Sequence, residues 1–380
     1  MCNAFLWKGT LEGKYVARVA WSTVTKPKRN GGLGIRNLEL WNRTCTIKLL
    51  WLLLFRTESI WVAWIHQNVI KDESFWSIKP KQSHTWVFKQ ILAERQSALQ
   101  WFQISPGNGM GIRFWTDPWT KFGQLITYIG HQGPRSYGLP ISTSVADVWR
   151  EDTWILPSAR STEMEELLIY LSSISLSETP SLPEWIVNGK KCLSYSSSDI
   201  YHSLLEPTPS VPWYPIIWLK KGIPKHKTLA WLMLLNRSPT RDRLISWGIP
   251  TDHLCLLCNG ASESRDHLFF FCQVSTSIWM HFSAIFAITP SSTSWEDITS
   301  SLLTQTGNNH CKYLSILAWQ ATIYELWWER NTRLHRSRYR SGDMIISKIA
   351  STIKNRISSL RSDNPTNSSA LMQYWFSIAH

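Results

Sequence analysis

The sequence lacks several features that would fix its class early. No stretch is apolar for long enough to span a bilayer; the most apolar run, Leu49 to Phe55, falls far short of the roughly 20 residues a spanning helix needs. The N-terminal MCNAFLWKGTLEGKYVARVAW has no basic start, apolar core and small-residue cleavage site. That pattern argues against a secretory leader and makes nucleus or cytoplasm the expected compartment. Seven cysteines are too irregular for a disulfide framework: Cys2, Cys45, Cys192 and Cys311 lie far apart, and only Cys255, Cys258 and Cys272 cluster, which fits a reducing environment. Gly107, Gly109 and Gly111 do not complete a dinucleotide fingerprint, and no Gly-Lys-Ser/Thr follows them, so a phosphate-cradling loop is not expected there.

The chain has 380 residues, room for two or three domains, and its 43% apolar and 18% charged content is that of packed globular structure. Two quantities stand out. There are 24 tryptophans, and 40 Lys and Arg against 27 Asp and Glu give a formal charge of +13. The pairing suits a surface that stacks on bases and neutralises phosphates, and it equally suits a helical core under a solvated basic exterior.

Pattern and punctuation predict a mainly α protein with small β-hairpins (α+β) that contains a small zinc-stabilised helical module. Residues 1–100 read as one mostly helical segment: short strands and turns over 1–40, including a strand-like Tyr15 to Trp21, then helices over about Leu38 to Phe55 and Ser74 to Arg95. Trp76, Trp86, Phe88, Ile91 and Leu92 are its expected apolar stripe, read as core. Residues 101–206 read as a hairpin around Pro106-Gly107-Asn108-Gly109 followed by an irregular linker with short helices at Val145 to Trp149 and Glu163 to Ile174. Residues 207–285 form the zinc module, with a helix from Pro224 to Leu235, another from Arg241 to Trp247 ended by Gly248, and a third starting near Ser275. Residues 286–361 read as C-terminal helices, about Tyr313 to Arg336 and Ile345 to Leu360, and 362–380 as a flexible tail.

The chemistry concentrates in Cys255-x2-Cys258-x8-His267-x4-Cys272. Three thiolates and an imidazole are the donors tetrahedral zinc prefers, and four protein ligands leave no open position for a reacting water, so one structural Zn²⁺ is expected. The competing reading is small buried cysteines and a histidine packed beside Phe269-Phe270-Phe271. His253 is a rival ligand two residues before Cys255, and Asp266 or Glu263 are candidates to hydrogen-bond the His267 ring.

At this block the chain resembles the zinc-binding domain that follows the polymerase in plant LINE-type (non-LTR) retrotransposon polyproteins. The likeness is carried by Ile216-Ile217-Trp218, IPKHKTLAWLMLLNRSPTRDRL, Trp247-Gly248-Ile249, Cys255-x2-Cys258, Glu263, Asp266-His267-Leu268-Phe269-Phe270, Cys272 and Ile278-Trp279. Outside the block, FLWKG, VAW, PK-x2-GGLGIRNLELWN, Lys48-x2-Trp51, GNGMGIRFWTDPW and Leu326-Trp327-x2-Arg330-Asn331 extend it over most of residues 5 to 335. The resemblance implies that Cys255, Cys258, His267 and Cys272 are the metal ligands and that the module engages nucleic acid beside a polymerase. The family's polymerase holds two metal ions with paired aspartates, and this sequence contains no Asp-Asp pair. Met1 stands just ahead of FLWKG, no endonuclease region precedes it, and the scattered acidic residues near the C-terminus make no ribonuclease H set. The expectation is therefore a non-catalytic remnant of such a polyprotein, in which segment 1–100 corresponds to the stretch that joins the polymerase to the zinc module.

Partners are suggested by charge. Lys220, Lys221, Lys225, His226 and Lys227, with Arg237, Arg241 and Arg243 beyond the helix, would form a face for RNA or DNA phosphates or, as a plainer alternative, a solvated rim. Arg330, Arg333, Arg336, Arg338 and Arg340 make a second basic cluster at a helix C-terminus, where cations are favoured on dipole grounds alone. A polymerase domain from another chain is a candidate second partner; neither a membrane nor a small-molecule substrate is expected. The alternative function is a protein-interaction or scaffold module whose zinc is purely structural.

Overall fold

The computed structural model describes residues 2–10, 17–71, 73–288 and 294–379. The protein is mainly α-helical with small antiparallel sheets. Its chain divides into two compact units: 36–207, and 1–35 together with 208–380.

In the first unit, helix α1 (Leu38–Phe55) starts at Asn37, whose side chain accepts from the backbone N–H groups of Glu39 and Leu40; this satisfies donors that a helix start would leave orphaned. None of Leu49–Phe55 is exposed. Ile47, Leu50, Trp51 and Leu53 pack with Val62, Ile91 of α2 (Trp86–Ala93), Trp101, Phe102 and Trp185. Phe88, Ile91, Leu92 and Trp76 of the expected stripe are buried, but Trp86 is 66% exposed. Strand β1 (Phe102–Ser105) does not pair across the glycine turn. It pairs antiparallel with β2 (Leu182–Val187), which pairs in turn with β3 (Lys190–Lys191). The reason lies at Gly107, where a Cβ would come within 2.2 Å of the Thr179 carbonyl oxygen; the neighbouring Asn108 N–H donates to that carbonyl, and Ser177 N–H donates to Gly107. The glycine admits a second stretch of backbone rather than reversing a hairpin. The residues read as linker carry a core of their own, in which Phe114, Trp115, Trp119 and Val145 meet Met164, Leu167 and Leu171 of α3 (Thr162–Leu171).

The second unit begins with helical turns where strands are expected: Cys2–Lys8 and Trp21–Val24 are helical, while Tyr15 lies outside the described residues. The Gly31 carbonyl accepts from the buried Trp231 indole, tying this N-terminal stretch to helix α4 (Pro224–Leu234). Short α5 (Arg241–Ser246), α6 (Gln273–Ile285), long α7 (Asn309–Arg336) and α8 (Gly342–Ser359) follow. The stretch read as a tail forms α9 (Pro365–Ile378), capped by Asn364 and anchored by buried Leu371 and Trp375. Its N-terminal turn is polar, which hides the apolar positions further along from a composition reading. The core joins Trp231, Trp279, Trp295, Trp319 and Trp375 with Ile345, Ile349, Ile353 and Ile357, which recur every fourth residue along one face of α8. Many tryptophans therefore serve packing.

Candidate metal centre

The centre is assembled by two local devices. Cys255 and Cys258 flank a tight turn held by Asn259 N–H on the Cys255 carbonyl (2.8 Å), with Asn259 in the left-handed region at φ 55°; Asn tolerates that conformation better than most residues. Backbone N–H groups of Leu257 and Gly260 point at Cys255 Sγ and Cys258 Sγ, each 3.4 Å away. His267 and Cys272 are brought together by a π turn over His267–Phe271, closed by Cys272 N–H on the His267 carbonyl at 2.7 Å. The spacing x4 is one residue too long for an α-turn, and the i to i+5 bond absorbs it; such π turns concentrate at functional sites. Cys272 then occupies the cap position of α6.

All four ligand atoms, from Cys255, Cys258, His267 and Cys272, lie within 4.8 Å of one another, and Cys258 Sγ is 3.3 Å from His267 Nε2. A tetrahedral zinc with bonds of about 2.0–2.3 Å needs donors about 3.5–3.8 Å apart, so the cluster fits one zinc site. Electrostatics points the same way. The hydrogen bond from Cys255 holds the Cys272 thiol below the usual thiol range, with help from the backbone N–H groups of Ser275 and Val274 at the helix start, while that same bond pushes the Cys255 thiol up. Sulfurs this close are the arrangement in which a divalent cation displaces thiol protons on binding. His253 stands outside the cluster: it is exposed, with Nδ1 3.6 Å from Asp252.

Neither acidic candidate serves the imidazole. Asp266 pairs with Arg265 at 2.8 Å, and Glu263 has a different task. Fully buried, it accepts from Arg330 Nη2 (2.8 Å), from Arg241 N–H (3.0 Å) and from Leu256 N–H (3.3 Å). Arg333, held by Glu329 at 2.9 Å, donates to the Leu257 and Leu256 carbonyls. Arg340 pairs with both Glu325 and Glu329. Three arginines of the second basic cluster are thus spent inside the protein: Arg330 and Arg333 clamp the cysteine loop to α7, and Arg340 holds the segment after α7 against that helix's own glutamates. Composition hid this role; the i, i+4 pair Glu329 and Arg333 was the available signal.

The other basic residues divide. Arg241 is buried, donating to Asp252 at 3.0 Å and to the Leu254 carbonyl, so it belongs to the scaffold. Lys221 pairs with Asp363 at 3.4 Å, and Lys227 is half-buried with Nζ on the Leu219 carbonyl. Arg243 lies over the Trp247 ring. Lys220, Lys225 and Arg237 are exposed, and no carboxylate among the described residues pairs with them. His226 is buried against Tyr324, ring centroids 4.3 Å apart, and burial brings its imidazole down to about 3.

A closed Cys₃His donor set on a helical scaffold, with no open ligand position, defines a structural zinc-binding protein. The particular module follows from sequence comparison: residues 195–279 match the family described as zinc-binding in reverse transcriptase, and this segment carries that reverse-transcriptase zinc-binding domain. The chain is also 26% identical, over 298 residues, to an Arabidopsis thaliana protein named "putative ribonuclease H protein". The match covers 74% of this chain and 46% of that one, so the chain spans less than half the length of this relative. No solved structure matches the chain. No helix among the described residues is long and apolar enough to cross a membrane.

Proposed function

We propose that Cys255, Cys258, His267 and Cys272 hold one structural zinc ion, and that the module they order presents Lys220, Lys225, Arg237 and Arg243 to the phosphate backbone of RNA or DNA in a non-catalytic role beside a reverse transcriptase. The observation that carries this reading is the closed four-donor cluster within a reverse-transcriptase zinc-binding domain, with the unpaired cations Lys220, Lys225 and Arg237 before, on and just beyond the helix leading to it. Lys221 and Lys227 contribute charge from the edge of that face, and Arg241 supports it from beneath. Such contacts are sequence-independent: the logarithm of affinity should fall linearly with the logarithm of salt, by about 0.9 per phosphate neutralised on duplex DNA. A titration of the full chain with labelled nucleic acid over a salt series tests it; absence of binding at low salt, or binding indifferent to salt, rejects the reading. A protein-binding role, with a polymerase domain as partner, is favoured by one other observation: Ile245, Trp247 and Ile249 are 48%, 44% and 47% exposed around the Gly248 turn, a local apolar group of the kind interfaces use. A nuclear or cytoplasmic location follows from the thiol chemistry, since the site needs reduced cysteines.

A further inference from the structure

Along the outer face of α7, Tyr324, Trp327, Trp328, Asn331, Thr332, His335 and Arg336 line a groove of about 350 Å³. The positions follow the i, i+3, i+4, i+7 rule, so one stripe of the helix presents three aromatic rings and then an amide, an imidazole and a guanidinium. Their polar neighbours are arranged unevenly. Glu325 and Glu329, on other faces of the same helix, are taken up by Arg340 and Arg333, and no carboxylate lines the groove. Trp328 is 41% exposed although Arg340 covers its ring at 4.2 Å. Arg330 donates to Asn331 Oδ1 at 3.0 Å, which fixes that amide and leaves its NH₂ as donor. At the N-terminal end, Tyr324 stacks on His226 and lies under Lys225 Nζ at 4.5 Å, so the groove adjoins a cation of the proposed phosphate face.

We infer that this groove receives an unpaired nucleobase of a single-stranded nucleic acid, stacked on the Trp328 face that Arg340 does not cover, its edge accepting from Asn331, with phosphates further along the strand on either side met by Lys225 and Arg336. The inference rests on the nucleic-acid reading above and adds to it a preference for single strands. Aromatic rings beside cations in a groove free of carboxylates suit a base with its phosphate better than an aliphatic peptide, which gains little from guanidinium or ammonium groups. A duplex keeps its bases stacked and offers only the backbone.

The test is a fluorescence-anisotropy titration of the full chain with labelled single-stranded oligothymidylate and with an abasic strand carrying the same number of phosphates. The base-bearing strand should bind roughly five- to a hundredfold tighter. Trp328→Ala should abolish that preference while leaving the salt dependence intact, Trp328→Phe should keep most of it, and Asn331→Ala should reduce it. Arg336→Ala, at an exposed position, guards against a folding defect in the tryptophan variant: it should weaken both strands alike by a few-fold. Equal affinity for the two strands, or a preference that survives Trp328→Ala, overturns the groove while leaving the phosphate face standing. Failure of both strands to bind at low salt overturns both.

Discussion

In residues 36–207 the side chains that close the structure are large and apolar: Trp115, Trp185, Phe114, Ile47 and Leu50 are essentially without exposure. Around Cys255–Cys272, Leu257, Leu268, Phe269 and Phe270 are buried in the core, but the stretch between them, residues 258–267, contributes no buried apolar side chain. Its backbone is held by a metal-ligand cluster and by a buried layer of charge, Glu263 with Arg330, Glu329 with Arg333 and Arg340. The first region is ordered chiefly by non-directional burial; the second adds directional bonds to a few atoms, on which its 258–267 loop depends. The first should degrade gradually when perturbed, because many contacts share the load. The second should fail at single atoms.

The largest expected effect is therefore loss of the metal. Structural zinc of this type contributes on the order of 10 kcal/mol to local folding. Purified protein should hold one zinc per chain. Cys258→Ser should release it, and hydrogen exchange should show protection lost over 250–272 while amides of 36–207 keep theirs. Metal-free protein with unchanged protection at Cys255 to Cys272 would show that the loop is held by packing and erase the contrast.

Next come single changes to the charged layer and to the apolar core. Arg330→Met leaves Glu263 buried without its ion-pair partner and should cost about 3–5 kcal/mol. Replacing Glu263 as well should recover only part of this, since the Arg241 and Leu256 N–H groups still need an acceptor. Trp115→Ala should cost a similar ~3–5 kcal/mol through the cavity it leaves, but Trp115→Phe should recover much of it where no conservative swap rescues Arg330. Urea unfolding of the four variants, with zinc content measured in parallel, checks this; zinc loss in Trp115→Ala would break the distinction.

A smaller effect concerns His226. Its imidazole lies at about 3 because burial disfavours the charged form, below the ordinary value near 6.5. The folded state thus binds fewer protons than the unfolded one between those values, and stability present above about pH 6.5 is lost as pH falls toward 3. At pH 5 the loss is about 2 kcal/mol. Comparing wild type with His226→Phe at pH 7 and pH 5 isolates it, because acid release of zinc affects both; an advantage for wild type that does not shrink on acidification would sink the assignment.

How much was legible beforehand followed the same division. The cluster of Cys255, Cys258, His267 and Cys272 could be read because residue identity and spacing are the chemistry, helices α7 and α8 because apolar residues recur at helical spacing, and α4 because Pro224 opens it and Ser238-Pro239-Thr240 follows it. Pairing of β1 with β2 could not, since it spans some eighty residues of sequence and depends on where Gly107 meets Thr179. The same holds for Arg330 and Arg333: a cation in sequence does not reveal whether it faces water or a buried glutamate 67 residues away, as Glu263 is from Arg330. Likewise Trp86 and Trp328 match the buried tryptophans in composition and differ only in place.

The smallest expected effect tests whether exposed charge behaves differently from the buried layer. Lys221 and Asp363 pair at 3.4 Å with both side chains substantially in water, and such pairs contribute little to stability, at most about 1 kcal/mol. Asp363→Asn should leave the unfolding midpoint nearly unchanged. If the face on α4 meets phosphates, the same change frees a lysine at its edge and removes a repelling charge, so affinity for single-stranded nucleic acid should rise a few-fold at low salt and the salt slope should steepen by less than about one phosphate equivalent. Both consequences stem from one carboxylate, yet only the binding one depends on the proposed surface. A variant that loses stability without gaining affinity would place Lys221 in the scaffold with Arg241 and narrow the phosphate face to Lys220, Lys225, Arg237 and Arg243.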